Sequence, residues 1–86
     1  MDTHVIMHTD GTLTPITPKK GKTYSLEELQ SYVGGYIELL PLEKSRYAVV
    51  NEEGMLHDLA INPGASLLLG QKIVGPCVVI ARSSLR

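Results

Sequence analysis

Three lysines surround a glycine in Lys19-Lys20-Gly21-Lys22, and Tyr24, Tyr32, Tyr36 and Tyr47 are the only aromatic residues of the chain. A basic loop attracts anions, and tyrosine faces beside a guanidinium stack a nucleobase. Arg46, next to Tyr47, supplies the guanidinium, and Asn62 has an amide able to donate to a phosphate or a base. Tyr36, Arg46, Asn62, Lys20 and Lys22 are therefore the candidate ligand-binding residues, and a small anionic nucleotide is the ligand they suit. Gly21-Lys22-Thr23 matches only the end of the phosphate-loop pattern GxxxxGK[ST]; no glycine stands at its first position, so that loop is not expected.

The other reactive side chains point to less. His4 and His8 would chelate a metal on a helix, but in a strand the same spacing is roughly 13 Å, too far for one ion. They are expected as exposed strand histidines, and no metal or cofactor is expected. Cys77 sits in an apolar run without a partner cysteine or a local base, which suits a buried core residue better than a reactive thiol. Glu52 and Glu53 belong to a turn, where solvation explains them. Glu38 interrupts an apolar strand, and solvent exposure explains it better than a binding face. Glu38 with His57 would be the pair for a small hydrolase, but no nucleophile–base pattern accompanies them.

The elements that must position these groups are legible in part. Ser25 is a good N-cap with Glu28 three residues on, a capping box. Leu26, Leu29 and Val33 form an apolar helical stripe, ended by Gly34-Gly35, where glycine takes the left-handed conformation freely. This helix is the main one expected. Residues 3–8 are expected as a strand with Val5 and Met7 on one face and His4, Ile6 and His8 on the other. The turn signal Asp10-Gly11 returns the chain over residues 12–17, where Pro15 and Pro18 suit an edge. Residues 36–40 form the next strand, weakened at Pro41, and Glu43–Ser45 a loop. Residues 46–50 follow as a strand, the turn Asn51–Gly54 as a tight link, and Met55–Leu59 as a returning strand. Asn62 and Pro63 start one helical turn that Gly70 stops. Val78-Val79-Ile80, without polar alternation, reads as a central strand covered on both sides, with Gly75-Pro76 at its beginning or at a bulge. Residues 83–86 read as a tail. The fold class is α+β: a small, mostly antiparallel sheet with one main helix packed on it.

Eighty-six residues make one domain, 1–86, and such a chain buries only roughly 60–65% of its unfolded surface, so self-association would help it. The net charge of −1 lacks the basic footprint of a nucleic-acid binder. The single cysteine permits no intrachain disulfide. No apolar run approaches the ~20 residues of a membrane span, and the first ten residues lack a secretory pattern. A cytoplasmic location is expected, with no membrane contact.

Across residues 24–82 the chain resembles a family of small uncharacterised domains common in bacteriophages and mobile elements. The resemblance rests on Leu29, Val33, Gly34, Gly35, Tyr36, Ile37 and Glu38, then Asn51, Glu52, Glu53, Gly54 and Asn62, then Ile73, Gly75, Val78 and Val79. In pattern form it reads LxxxVGGYIE, NEEG and IxGxxVV. It implies a non-enzymatic binding module, a homo-oligomer acting in phage–host interaction inside the host cell. Sequestering a nucleotide signal against host defence is the specific form of that reading. A protein-binding inhibitor of a host factor is the alternative, and a small hydrolase a more distant one.

Overall fold

The apolar residues at 48–50 and 77–81 need cover on both faces, and the chain supplies it by pairing them in one sheet. The computed structural model describes residues 4–85. Strands β1 (Val5–Met7), β2 (Leu13–Pro15), β3 (Ile37–Glu43), β4 (Arg46–Asn51) and β5 (Cys77–Ala81) form a five-stranded sheet in the order β2-β1-β5-β4-β3. Every neighbouring pair is antiparallel. Helices α1 (Leu26–Val33) and α2 (Pro63–Leu69) complete the α+β fold, and a 3-10 turn at Arg82–Ser84 follows β5. None of the helices is long and apolar enough to cross a membrane.

β5 is central and all its residues are buried, as its unbroken apolar run requires. Its side chains split between two cores. Val78 and Ile80 meet Ile6, Val49, Leu29, Val33 and Tyr24 beneath α1. Cys77 and Val79 meet Ala48, Val50, Ile73 and Ala65 beneath α2. The sheet thus carries a second, shorter helix opposite the main one. Alternation in β1 is as expected: Val5 and Met7 face α2 while Ile6 faces α1.

Ser25 caps α1, its Oγ accepting from Glu28 N–H at 3.1 Å, and Gly34 ends the helix at φ 83°. The reciprocal half of the capping box is not made. The buried Glu28 carboxylate instead accepts from Lys19 N–H at 3.2 Å and from the Tyr32 hydroxyl at 3.0 Å, tying the basic loop to the helix by its backbone. Leu26 stays 57% exposed, and the fully buried Tyr24 ring fills the core in its place.

Several expectations need correcting. Residues 52–58 form consecutive turns, not a returning strand. The reason is topological: β3 and β5 already occupy both sides of β4, so β4 has no free side for Met55–Leu59. Pro41 does not end β3; it pairs with Tyr47, and the ladder continues through an irregularity to Glu43. His4 and His8 are half-buried and hydrogen-bonded rather than exposed, His8 to Thr14 Oγ1 at 2.8 Å and His4 as described below. The C-terminal stretch is anchored as far as Leu85, which bridges to Tyr24; residue 86 of the expected tail and residue 3 of the first strand lie outside the described residues.

Candidate functional site

The five residues singled out from the sequence are not gathered. Tyr36 is 64% exposed and stands just before β3, at the end of the β3–β4 hairpin where Ile37 pairs with Asn51. Arg46 stands at the other end, roughly 20 Å along the strand, and pairs with the Glu43 carboxylate. Lys20 and Lys22 are exposed in the loop before α1. Asn62 is fully buried and its amide is consumed: Oδ1 accepts from Ala65 N–H at 3.1 Å, and Nδ2 donates to Met7 O and Gly75 O, both at 2.9 Å. It caps α2 and fastens it to β1 and to the entry of β5, leaving no donor for a ligand. The hydrolase pair is also apart. Glu38 lines a depression on the α2 side of the sheet, and His57 lines another at the end of α1. Among the described residues no group of three or more histidine, cysteine or acidic side chains could hold a metal.

A different set does come together, at the end of the sheet where β3 turns into β4. Arg46 pairs with Ala81 and Tyr47 with Ile80, so the chain leaving β5 passes beside Ser45. Arg82 N–H donates to Ser45 O at 2.7 Å, fixing that passage. Alternation sends the Arg82 side chain to the α1 face, where its guanidinium lies 5.6 Å from the centre of the Tyr47 ring, a cation–π contact. Ser45, Ala81, Arg82 and Ser83 line an open depression of about 400 Å³ here. Arg82 is exposed and, among the described residues, no carboxylate pairs with it. Pro41, opposite Tyr47 in the ladder, and Leu39, two residues along, continue an exposed apolar margin on the same face. Arg46 shares the end of the sheet but belongs to the other face, with Ala81, and Glu43 neutralises it.

The arrangement offers a guanidinium over an aromatic ring, Ser45 and Ser83 in the depression, and an apolar margin beside it. That is chemistry for an anion carrying a flat group. Sequence reading considered tyrosines near Arg46 but missed Tyr47 with Arg82. The signal was the register of two strands far apart in the chain, which residue spacing alone does not contain.

A part-buried network holds the chain that follows β5. His4 Nδ1 is 3.0 Å from the Tyr24 hydroxyl, and His4 Nε2 is 3.4 Å from Ser84 Oγ. Tyr24 N–H donates to Ser84 O at 2.7 Å. Burial, then the neighbouring Tyr32 and Glu28, pushes the Tyr24 phenol up to about 12, so it stays protonated. Burial likewise raises the Cys77 thiol to about 11, and the thiol is inert core.

A two-faced antiparallel sheet with a helix on each side and open surface depressions defines a small α+β domain. The chain belongs to the DUF3846 family, described as a domain of unknown function, whose model matches residues 2–84. The match takes in the first strand pair, which the resemblance over 24–82 left out. No curated protein and no solved structure matches the chain.

Proposed function

We propose that this domain is a non-enzymatic binding module of phage or mobile-element type that captures a small anionic nucleotide at the Tyr47–Arg82 end of the sheet. The observation that carries the reading is the Arg82 guanidinium, which lies 5.6 Å from the centre of the Tyr47 ring and lines the Ser45–Ser83 depression. Its volume of about 400 Å³ suits a ligand of mononucleotide size. A base would extend the stack over Tyr47, Pro41 and Leu39, and phosphate oxygens would take the free edge of Arg82 and the serine hydroxyls. Lys44, in the same turn, adds long-range attraction. Capture of a nucleotide signal inside a host cell, blunting a defence that the signal triggers, is the role in which stoichiometric binding without turnover is useful.

Calorimetric titration with AMP, GMP and inorganic phosphate tests the reading. Arg82→Ala should abolish binding and Tyr47→Ala should weaken the nucleotides at least roughly 5-fold while sparing phosphate, because base stacking contributes about 1–3 kcal/mol. The nucleotide should be recovered chemically intact. Wild-type affinity in Arg82→Ala, or conversion of the nucleotide, overturns the proposal.

A protein-binding inhibitor is the second reading, favoured by exposed apolar side chains around α2: Met55 and Leu56 in the preceding turns, Ile61, and Leu67, which is 87% exposed. Capture of a host protein that survives Arg82→Ala but not Leu67→Asp would select it. In either form the module works as a homo-oligomer, for which the open edge of β3 is the natural contact.

A further inference from the structure

We infer that the buried Tyr24 hydroxyl and His4, neither of which lines the depression, are positioning groups that set Arg82 and Ser83 for the anion. The inference rests on the ligand reading above. Arg82, Ser83 and Ser84 form a single 3-10 turn closed by one weak contact, Leu85 N–H to Arg82 O at 3.2 Å. So short a turn does not hold its own shape. It is held at both ends from outside. At its start Arg82 N–H is tied to Ser45 O, and at its end Tyr24 N–H holds the Ser84 carbonyl at 2.7 Å while His4 Nε2 makes a longer contact, 3.4 Å, with the Ser84 hydroxyl.

One proton arrangement satisfies the network. The Tyr24 ring is fully buried, and its hydroxyl has His4 Nδ1 as its partner. If the phenol donates, Nδ1 accepts and Nε2 carries the proton toward Ser84 Oγ. The opposite tautomer would leave the phenol proton of the fully buried Tyr24 without an acceptor, which costs a buried hydrogen bond. The order of action is therefore Tyr24 hydroxyl to His4 ring, His4 ring to Ser84, and Ser84 to the turn that presents Arg82 and Ser83. His4 enters beside β1 and Tyr24 from the segment before α1, so two N-terminal segments fix the C-terminal wall of the depression.

Coupling of this kind is reciprocal. If the network holds Arg82 and Ser83 in place for an anion, an anion bound there must steady the network by the same factor. The Tyr24 amide, which donates to Ser84 O, is the reporter: its hydrogen exchange should slow when ligand saturates the site.

The test compares wild type with Tyr24→Phe, which keeps the core ring and removes only the hydroxyl, and with His4→Ala and His4→Gln. Tyr24→Phe and His4→Ala should bind AMP and inorganic phosphate roughly 5-fold more weakly, the effect of one net hydrogen bond. His4→Gln, which keeps an acceptor and a donor, should recover part of that loss. AMP should slow Tyr24 amide exchange in wild type. Wild-type affinities in Tyr24→Phe and His4→Ala, with only their melting temperatures lowered, would make the network a staple and overturn the inference. If wild type binds neither AMP nor phosphate, the ligand reading fails by itself. The positioning is then read from the Arg82 Nε–H resonance, which lies near the Tyr47 ring. A shift of that signal in Tyr24→Phe sustains it, and an unmoved signal overturns it.

Discussion

Asn62 illustrates how one polar side chain can be worth more to the fold than to a ligand. Its single acceptor caps α2, and its two amide hydrogens go to carbonyls of Met7 and Gly75. Asn62→Ala removes the cap and strands those carbonyls, so it should cost about 3–5 kcal/mol in urea denaturation. For a domain whose whole stability is of order 5–15 kcal/mol, that approaches unfolding. A loss below about 1 kcal/mol would show that water replaces the amide. Tyr24 and Cys77 make a second residue-level prediction, on the alkaline side. Both pKa values are raised, from 10.0 to about 12 and from 9.0 to about 11, so the folded state keeps protons that the unfolded chain releases. Their contribution is complete below pH 9 and is lost as pH climbs from 9 toward 12. The melting temperature should fall over that window, with a late tyrosinate absorbance step that coincides with unfolding. A tyrosinate titration complete before unfolding would contradict the burial of Tyr24.

Among the elements, α1 was the most legible, because its signals are local. Ser25, the stripe residues Leu29 and Val33, and Gly34 each act within a few residues as expected, whereas Leu26 of that stripe stays exposed and the Glu28 carboxylate turns from the capping box to Lys19 N–H. Ser25→Ala should cost about 1 kcal/mol, measured as a shift in the denaturation midpoint; no change would mean that another group takes the Glu28 amide. The central strand was legible too, since Val78, Val79 and Ile80 announce burial on both faces. What escaped reading was set by pairing partners distant in the chain. The run Met55–Leu59 has strand composition, yet β4 had no free side to offer it. The candidate site failed to read for the same reason. Tyr36 and Arg46 look close in sequence, but a hairpin places them at opposite ends, while Tyr47 and Arg82, far apart in sequence, are joined by the β4–β5 register. Charge and aromaticity name residue types; only the ladder says which side chains share a face.

The sheet as a whole ends in two unlike edges. β2 is three residues long and carries Pro15, so it offers little to an added strand. β3 is seven residues long and outermost on the other side. Glu52 N–H donates to Tyr36 O, so in the alternating antiparallel pattern Tyr36, Glu38 and Leu40 turn their backbone groups toward β4, whereas Ile37, Leu39 and Pro41 turn theirs outward. Pro41 is tolerated because the N–H it lacks would have faced solvent. The outward groups of Ile37 and Leu39 remain available, beside exposed Leu39 and Tyr36 side chains, and this is where a second copy would extend the sheet. Two proline variants separate the edge from the ladder. Leu39→Pro deletes an outward N–H and should leave monomer stability nearly unchanged while shifting sedimentation toward the monomer. Leu40→Pro deletes an N–H that β4 needs and should destabilise the fold by about 3 kcal/mol or more. A wild-type chain that sediments as a monomer throughout the micromolar range, indistinguishable from Leu39→Pro, would remove the homo-oligomer from the proposal and leave β3 as an edge that Pro41 and Glu38 keep solitary.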